Sequence, residues 1–337
     1  MRIGIVNDMP MALEILRRTI SGQHDYQVAW LARDGKEAVQ KCVQDTPDLV
    51  LMDLIMPTMD GVEATRIIMD KTPCAILVVT ASVDGNITQV FEAMGNGALD
   101  AVNTPVLGQP QGQETLIKKI EVIRKLLGNP ATSRKTVLPQ KPVEGDLPPL
   151  VAIGASTGGP QAIAAILSKI PKNTAAAFIV VQHVDAFFAN GLAEWLKHKC
   201  SLKIQLAEPG QCLTPGRVYI AAKNDHLIFG HSHTLQYTAE PEDYPYRPSV
   251  DILFESLAAN YNRPGIAVLL TGMGRDGAKG LLMLKNAAWH TIAQDEKTSV
   301  VYGMPKAAKE LDAAVQILPL ERIAAEILLR VNETDEN

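Results

Sequence analysis

Ser156 stands in Gly154-Ala155-Ser156-Thr157-Gly158-Gly159-Pro160, behind the apolar run Leu150–Ile153. Small residues two positions either side of a serine permit a tight strand-to-helix turn that projects its hydroxyl as a nucleophile. N–H groups at the start of the following helix, expected near Pro160–Ser168, suit a developing oxyanion. Glycine-rich turns of this kind also cradle phosphates, but the segment lacks the Gly-Lys-[Ser/Thr] of a P-loop. A serine needs a base and the base needs an orienting acid. His183 leaves the apolar run Phe178–Val181, and Asp276 follows Ile266–Leu270 through a glycine-rich turn. Taken alone, His183 reads equally as a satisfied core histidine and Asp276 as an N-terminal helix cap. Convergence favours the chemistry, because all three side chains leave different strands at one sheet edge. The chain order Ser…His…Asp is no obstacle, since triads are defined by geometry.

The first part of the chain places acids in the same way. Asp8 follows Ile5-Val6-Asn7, Asp53 follows Leu49-Val50-Leu51-Met52, and Thr80 ends the run at Ala75–Val79. Carboxylates at the ends of neighbouring strands suit Mg2+, which neutralises an incoming phosphoryl group, while Thr80 is placed to bond a phosphoryl oxygen. Asp53 then reads as a phosphate acceptor, with Asp8 and Asp53 as the metal ligands.

Elements that would hold these residues can be read from periodicity. Up to about residue 125, β-branched strands (Arg2–Val6, Gln27–Leu31, Leu49–Met52, Ala75–Val79, Ala101–Asn103) alternate with helix-period segments. That alternation implies a five-strand, doubly wound parallel sheet of flavodoxin-like order, with ligands at the carboxyl ends of the strands. Residues 126–148 lose periodicity and gather Asn129-Pro130, Leu138-Pro139, Lys141-Pro142 and Pro148-Pro149, as an interdomain linker does. From 149 to 332 alternation resumes as a second doubly wound α/β domain, with a β-rich insert expected over Lys203–Tyr237. Residues 333–337 are polar and acidic, as a disordered tail is.

Among the other histidines, His290 begins its strand at the opposite edge, and His231 and His233 flank Ser232 in a turn. His24, His198 and His226 lie in polar neighbourhoods that favour exposed or locally bonded roles. The chain has 337 residues, is 47% hydrophobic and 20% charged, and carries a net charge of −5. That composition excludes a disordered protein and gives no electrostatic pull toward nucleic acid or an anionic membrane. Four separated cysteines without C-x-x-C spacing read as buried reduced thiols in a cytoplasmic protein. No run approaches the ~20 apolar residues that cross a bilayer, so no direct membrane insertion is expected.

Residues 1–125 resemble the response-regulator receiver domain through Asn7-Asp8, Met52-Asp53 with Met56-Pro57 and Asp60-Gly61, Thr80-Ala81, and Gly97-Ala98…Pro105. The resemblance implies phosphorylation of Asp53 by a histidine kinase. Asn7 stands at the first acidic position, Thr104 where receivers carry lysine, and Ala101 where they carry an aromatic. In these three departures the receiver half is similar to the WspF-type branch of chemosensory regulators.

Residues from about 148 to 332 resemble the chemotaxis protein-glutamate methylesterases, the CheB family. The matching residues are Ile153–Gly159, Gln182-His183, Tyr219–Ala221, Arg247–Asp251, Leu270–Gly274 with Asp276-Gly277, Ala293-Gln294 and Gly303–Pro305. This resemblance implies Ser156 as nucleophile, His183 as general base and Asp276 as its orienting partner. It further implies oxyanion contact from the Met273 backbone, a supporting hydroxyl from Thr157, and no cofactor for hydrolysis. Arg275 stands where relatives often carry Asn. The implied activity is hydrolysis of glutamate γ-methyl esters on a methyl-accepting chemoreceptor, with glutamine deamidation at the same site. Phosphate from a CheA-type histidine kinase is implied to relieve occlusion of the triad. The alternative from another class is a regulatory binder of receptor or kinase that does no chemistry.

Overall fold

The computed structural model describes residues 1–83, 85–106, 110–128, 147–242, 244 and 246–335. The chain divides into two compact units, Met1–Asn129 and Pro130–Asn337. The stretch expected as a linker, 126–148, lies largely outside the described residues.

In the first unit, strands β1 (Arg2–Val6), β2 (Gln27–Ala32), β3 (Leu49–Met52), β4 (Ala75–Thr80) and β5 (Asp100–Asn103) alternate with helices α1 (Pro10–Ser21), α2 (Gly35–Gln44), α3 (Gly61–Lys71), α4 (Ile87–Gly95) and α5 (Pro110–Gly128). The strands pair in parallel in the order β2-β1-β3-β4-β5. Helices on both faces bury the central strands completely, which is why β3 reads Leu-Val-Leu-Met without alternation. Ile5, Leu16, Leu51, Leu77 and Ile120 meet in its core. Each such aliphatic side chain contributes roughly 1.5–3 kcal/mol by leaving water. Asp34 and Asp60 begin α2 and α3 by accepting the N–H groups of Glu37 and Glu63. Gly61 is required where it stands, because a side chain there would run into the Asp53 carbonyl.

The second unit contains β6 (Leu150–Ala155), α6 (Gly159–Leu167), β7 (Ala177–Gln182), α7 (Ala186–Lys197), β8 (Lys203–Leu206), β9 (Arg217–Ile220), β10 (His226–Phe229), β11 (Leu235–Thr238) and α8 (Val250–Asn260). It continues with β12 (Ile266–Leu269), α9 (Ala278–Asn286), β13 (His290–Gln294), α10 (Met304–Glu310), β14 (Gln316–Leu318) and α11 (Leu320–Asp335). Its seven-stranded sheet runs β14-β13-β12-β6-β7-β9-β8, all parallel. The stretch read as a β-rich insert is therefore divided. Its strands β8 and β9 extend the main sheet, and β10 and β11 alone form a separate antiparallel ribbon. Short strands carry no mark of their pairing partner, so sequence periodicity does not separate the two cases. α11 runs to Asp335, into the segment from 333 expected to be disordered. Its last turns are tied by Arg330, which bonds Glu326 at 2.9 Å and Glu333 at 3.0 Å. All four cysteines are free thiols, but only Cys42 is buried and Cys212 is exposed. Among the described residues no helix is long and apolar enough to cross a membrane.

Candidate active site

Strand order reverses at β6, the first strand of its unit, with β7 on one side and β12 on the other. A crevice opens outside the carboxyl ends of the strands at such a reversal. Ser156 follows β6, His183 follows β7 and Asp276 follows the loop after β12. The three neighbouring strands thus deliver all three residues to one rim.

The turn carrying Ser156 is built by close backbone contacts. Gly158 has φ +76°, a left-handed conformation that a β-carbon disfavours, and it caps α6. A side chain at Gly154 would collide with Val250, and one at Gly272 would lie 2.7 Å from the Ser156 β-carbon. Gln182 donates its amide to the Ser156 carbonyl at 2.8 Å, and Ser156 N–H donates to the Thr271 carbonyl at 3.1 Å. His183 N–H donates to the Ala155 carbonyl at 3.0 Å, placing its backbone beside the Ser156 turn. Thr271 closes the far side, its hydroxyl donating to the Thr157 carbonyl at 2.9 Å.

Asp276 is buried and accepts four hydrogen bonds. It accepts from His183 Nε2 at 2.7 Å, Val250 N–H at 2.6 Å, Ser249 Oγ at 2.8 Å and Asp251 N–H at 3.1 Å. The helix-cap reading of Asp276 is thereby answered. Gly277 is the N-cap of α9, while Asp276 faces the N-terminus of α8, whose own cap is Ser249. Burial pushes the Asp276 carboxyl up, but His183, the Val250 N–H and the Ser249 hydroxyl outweigh it and hold the group below the usual carboxylate range. The acid therefore stays ionised at neutral pH.

Because Asp276 engages Nε2, the proton of a neutral His183 belongs on Nε2 and the lone pair on Nδ1. Nδ1 is buried and has no partner. Ser156 Oγ likewise bonds no protein group among the described residues. The structure thus brings His183 and Asp276 into contact and sets Ser156 on the adjoining strand end without closing the Ser–His bond. Such bonds are often long without substrate and tighten in the complex. The N–H groups of Thr157 and Met273 also donate to no protein group among the described residues. Both flank the Ser156 turn, as oxyanion donors must.

Several participants escaped the sequence reading. Ser249 carries no mark of its role inside the Arg247–Asp251 motif, and nothing in the sequence marks Tyr246, which stacks on the His183 ring. His226, read as lying in a polar neighbourhood, is fully buried at the start of β10. Its Nδ1 accepts the Ser249 N–H at 3.2 Å and its Nε2 faces the Pro241 carbonyl at 3.3 Å, so it is locally bonded and neutral. Burial first of all lowers its pKa. His290 begins β13 at the opposite edge, beside Glu326.

In the first unit, β1 and β3 are neighbours, so Asp8 and Asp53 share a rim. Asp53 is buried, whereas Asp8 is exposed. Burial raises the Asp53 carboxyl to about 6 and the Asp8 charge adds to the rise, against bonds from the Leu54 and Ile55 N–H groups and Thr80. Asn7 donates its amide to Asp53 at 2.9 Å, taking the place of a further carboxylate. Thr80 is buried and accepts from Asn86 at 3.1 Å. Two adjacent carboxylates, one destabilised by burial, fit a divalent cation that keeps several waters. No cluster of three or more His, Cys, Asp or Glu suited to a metal occurs among the described residues.

Comparison with known proteins agrees with this division. Residues 151–327 match the family described as CheB methylesterase, and residues 3–120 match the response regulator receiver domain. A Burkholderia thailandensis protein named protein-glutamate methylesterase/protein-glutamine glutaminase 4 is 52% identical, with 97% of each chain covered. A Pseudomonas aeruginosa protein named protein-glutamate methylesterase/protein-glutamine glutaminase 3 is 50% identical over 96% of this chain and 98% of its own. The crystal structure of the Thermotoga maritima CheB methylesterase catalytic domain is 36% identical, with a TM-score of 0.52. It covers 56% of this chain and 100% of that one.

Proposed function

This chain belongs to the CheB methylesterase family, is a carboxylic ester hydrolase joined to a receiver domain, and from that premise we propose that Ser156, His183 and Asp276 form its catalytic triad. It serves a chemosensory pathway as a phosphorylation-regulated protein-glutamate methylesterase. The observation that carries the triad is the buried His183–Asp276 pair, whose unpartnered Nδ1 is left for a serine on the next strand.

Ser156 Oγ attacks the carbonyl carbon of a glutamate γ-methyl ester, and its proton passes to His183 Nδ1. Asp276 stays ionised and stabilises the imidazolium through Nε2. The Met273 N–H meets the oxyanion and the Thr157 hydroxyl supports it, with ~3 kcal/mol of transition-state stabilisation for such a donor. Collapse expels methanol, which takes the proton from His183. Water, activated by the same imidazole, then releases glutamate and free Ser156. Glutamine at the same position follows the same course with ammonia leaving, and depends more on protonation by His183.

The substrate is the cytoplasmic domain of a methyl-accepting chemoreceptor, and a CheA-type histidine kinase supplies phosphate to Asp53. Asp8 and Asp53 would hold Mg2+, which supplies neutralisation of phosphoryl charge when bound, and Thr80 would bond a phosphoryl oxygen. Site of action is the cytoplasm. Methanol release from methylated receptor tests the assignment: Ser156→Ala is expected to abolish it while the melting curve is unchanged. Methanol release persisting in that variant refutes the triad.

A further inference from the structure

Tyr246 lies in the segment between β11 and α8, and its ring covers the face of the His183 imidazole. The two rings are parallel within 7°, with centroids 4.2 Å apart. Its hydroxyl reaches the other side of the site, donating to the Met273 carbonyl at 3.5 Å. Gly274 has φ +85°, and a side chain there would collide with that hydroxyl. The loop carrying the Met273 N–H is therefore seated on the tyrosine as closely as bare backbone allows. We propose that Tyr246 is a positioning residue that holds the general base and the oxyanion loop in one fixed arrangement. The proposal rests on the triad reading above.

The need for such a residue follows from the geometry of the base. Asp276 fixes the imidazole at one nitrogen only. Tethered covalently at Cγ and bonded at Nε2, the ring can still tilt about the line through those two points and carry Nδ1 away from Ser156. A parallel ring against its face removes that freedom, and a tyrosine face also favours the cationic form created when the serine proton arrives. The hydroxyl does a second task, since bonding the Met273 carbonyl orients the Met273–Gly274 loop, and with it the neighbouring N–H. Burial, and after it the Asp276 charge, pushes the Tyr246 hydroxyl well above its usual pKa, so it remains a neutral donor.

The segment is built to keep the ring in place. Tyr244 donates to Asp251 Oδ2 at 2.7 Å, and Arg247 bonds Asp225 at 3.3 Å. Ser249 then enters α8 while bonding Asp276 at 2.8 Å. Anchors on both sides of Tyr246 thus lead into the same carboxylate network that orients the base.

Steady-state ester hydrolysis by the full chain, followed against pH with a phosphodonor present, tests this. Tyr246→Leu is expected to lower kcat by roughly sixfold to thirtyfold, the lost aromatic stack and the lost hydroxyl bond together. KM should stay within about twofold, and the acid limb of the kcat/KM profile should move to lower pH. Tyr246→Phe keeps the stack, so its acid limb should coincide with that of the parent while kcat falls by about twofold to threefold. Should Tyr246→Leu melt early, Tyr246→Met supplies similar bulk without a ring and is held to the same expectation. A ringless variant with parental kcat and acid limb, or one whose loss lies wholly in KM, overturns the positioning role. Ser156→Ala run alongside separates the two readings. If it is inactive while Tyr246→Leu is unaltered, only the Tyr246 proposal fails, whereas an active Ser156→Ala removes the triad itself.

Discussion

Two buried aspartates at carboxyl ends of parallel sheets have been driven in opposite directions. Asp53 and Asp276 are 7% and 4% exposed, so burial penalises the charge of both. Asp53 is raised to about 6, because its donors from Asn7, Leu54, Ile55 and Thr80 do not offset burial beside the Asp8 charge. Asp276 is held low, because the His183 imidazole, the start of α8 and the Ser249 hydroxyl all point donors at it. The directions suit the proposed roles, since a phosphate acceptor must be able to give up its negative charge to a new bond and an orienting acid must not. The difference is set by what faces each carboxylate, the Asp8 anion in one case and the His183 imidazole in the other, not by depth.

The comparison breaks most sharply at Asp276 itself. Asp276→Asn keeps the shape but offers an amide where a carboxylate holds the imidazole, so the tautomer and the stabilisation of imidazolium are both lost. A fall in kcat of about 10⁴-fold is expected, as in other triads. Methanol release measured with the melting curve checks it, since a small loss in a folded variant would mean that Asp276 does not orient the base.

Asp251, on the next turn of the same network, resembles Asp53 more than Asp276. Burial and the Asp276 charge raise it to about 7, despite donors from Gly280 N–H at 2.8 Å and Tyr244. Its folded value exceeds the unfolded one. Its contribution is therefore complete below the ordinary carboxylate range and is lost as pH rises through about 7. Asp251→Asn removes that loss. Urea unfolding at pH 5 and pH 8 should show the variant gaining on the parent by ~2 kcal/mol between the two. Parallel changes in both proteins would mean that the carboxyl is not strained.

How much of this was legible follows from where the information resides. Strand runs such as Leu49–Met52 and Leu150–Ile153 announce themselves, because parallel strands are apolar on both faces, and the first polar residue after each marks the rim. Asp53 and Ser156 are visible in that way, while His183 stands one residue further on and Asp276 lies beyond the glycine-rich turn that follows its strand. The further donors that hold Asp276 low are not visible. Val250 and Asp251 act through backbone N–H groups, which no side-chain pattern reports. Tyr246 comes from an aperiodic segment, and His226 is buried although its sequence neighbours are polar. Pairing of β8 and β9 with the main sheet is a long-range fact of the same kind.

Ser249→Ala sharpens the contrast by removing a single donor. The Asp276 contribution is present above the ordinary carboxylate range and is lost as pH falls through the lowered folded value. With one bond fewer, that folded value rises, so acid unfolding should begin at higher pH. A stability loss of ~1.5 kcal/mol at neutral pH is expected for a hydrogen bond to a charged group. Acid titration followed by far-UV circular dichroism checks the direction, and an unmoved acid midpoint would assign the Ser249 hydroxyl to capping Ile252 alone, which it also does at 3.3 Å.

The smallest effect belongs to the receiver rim, where Asn7 stands 2.9 Å from Asp53 as a donor. Asn7→Asp exchanges that donor for a further anion beside Asp8 and Asp53. Without a divalent cation the three charges repel, and the amide bond to Asp53 is gone, so the variant should be less stable by ~1 kcal/mol in EDTA. That corresponds to a lowering of the receiver's melting point by roughly 4 °C or more. Mg2+ screens the added charge and gains a ligand, so it should raise the variant's melting point more than the parent's. Melting curves of both proteins across a Mg2+ titration measure the two responses. Equal shifts would place the cation away from Asn7 and leave the amide's bond to Asp53 as its whole role.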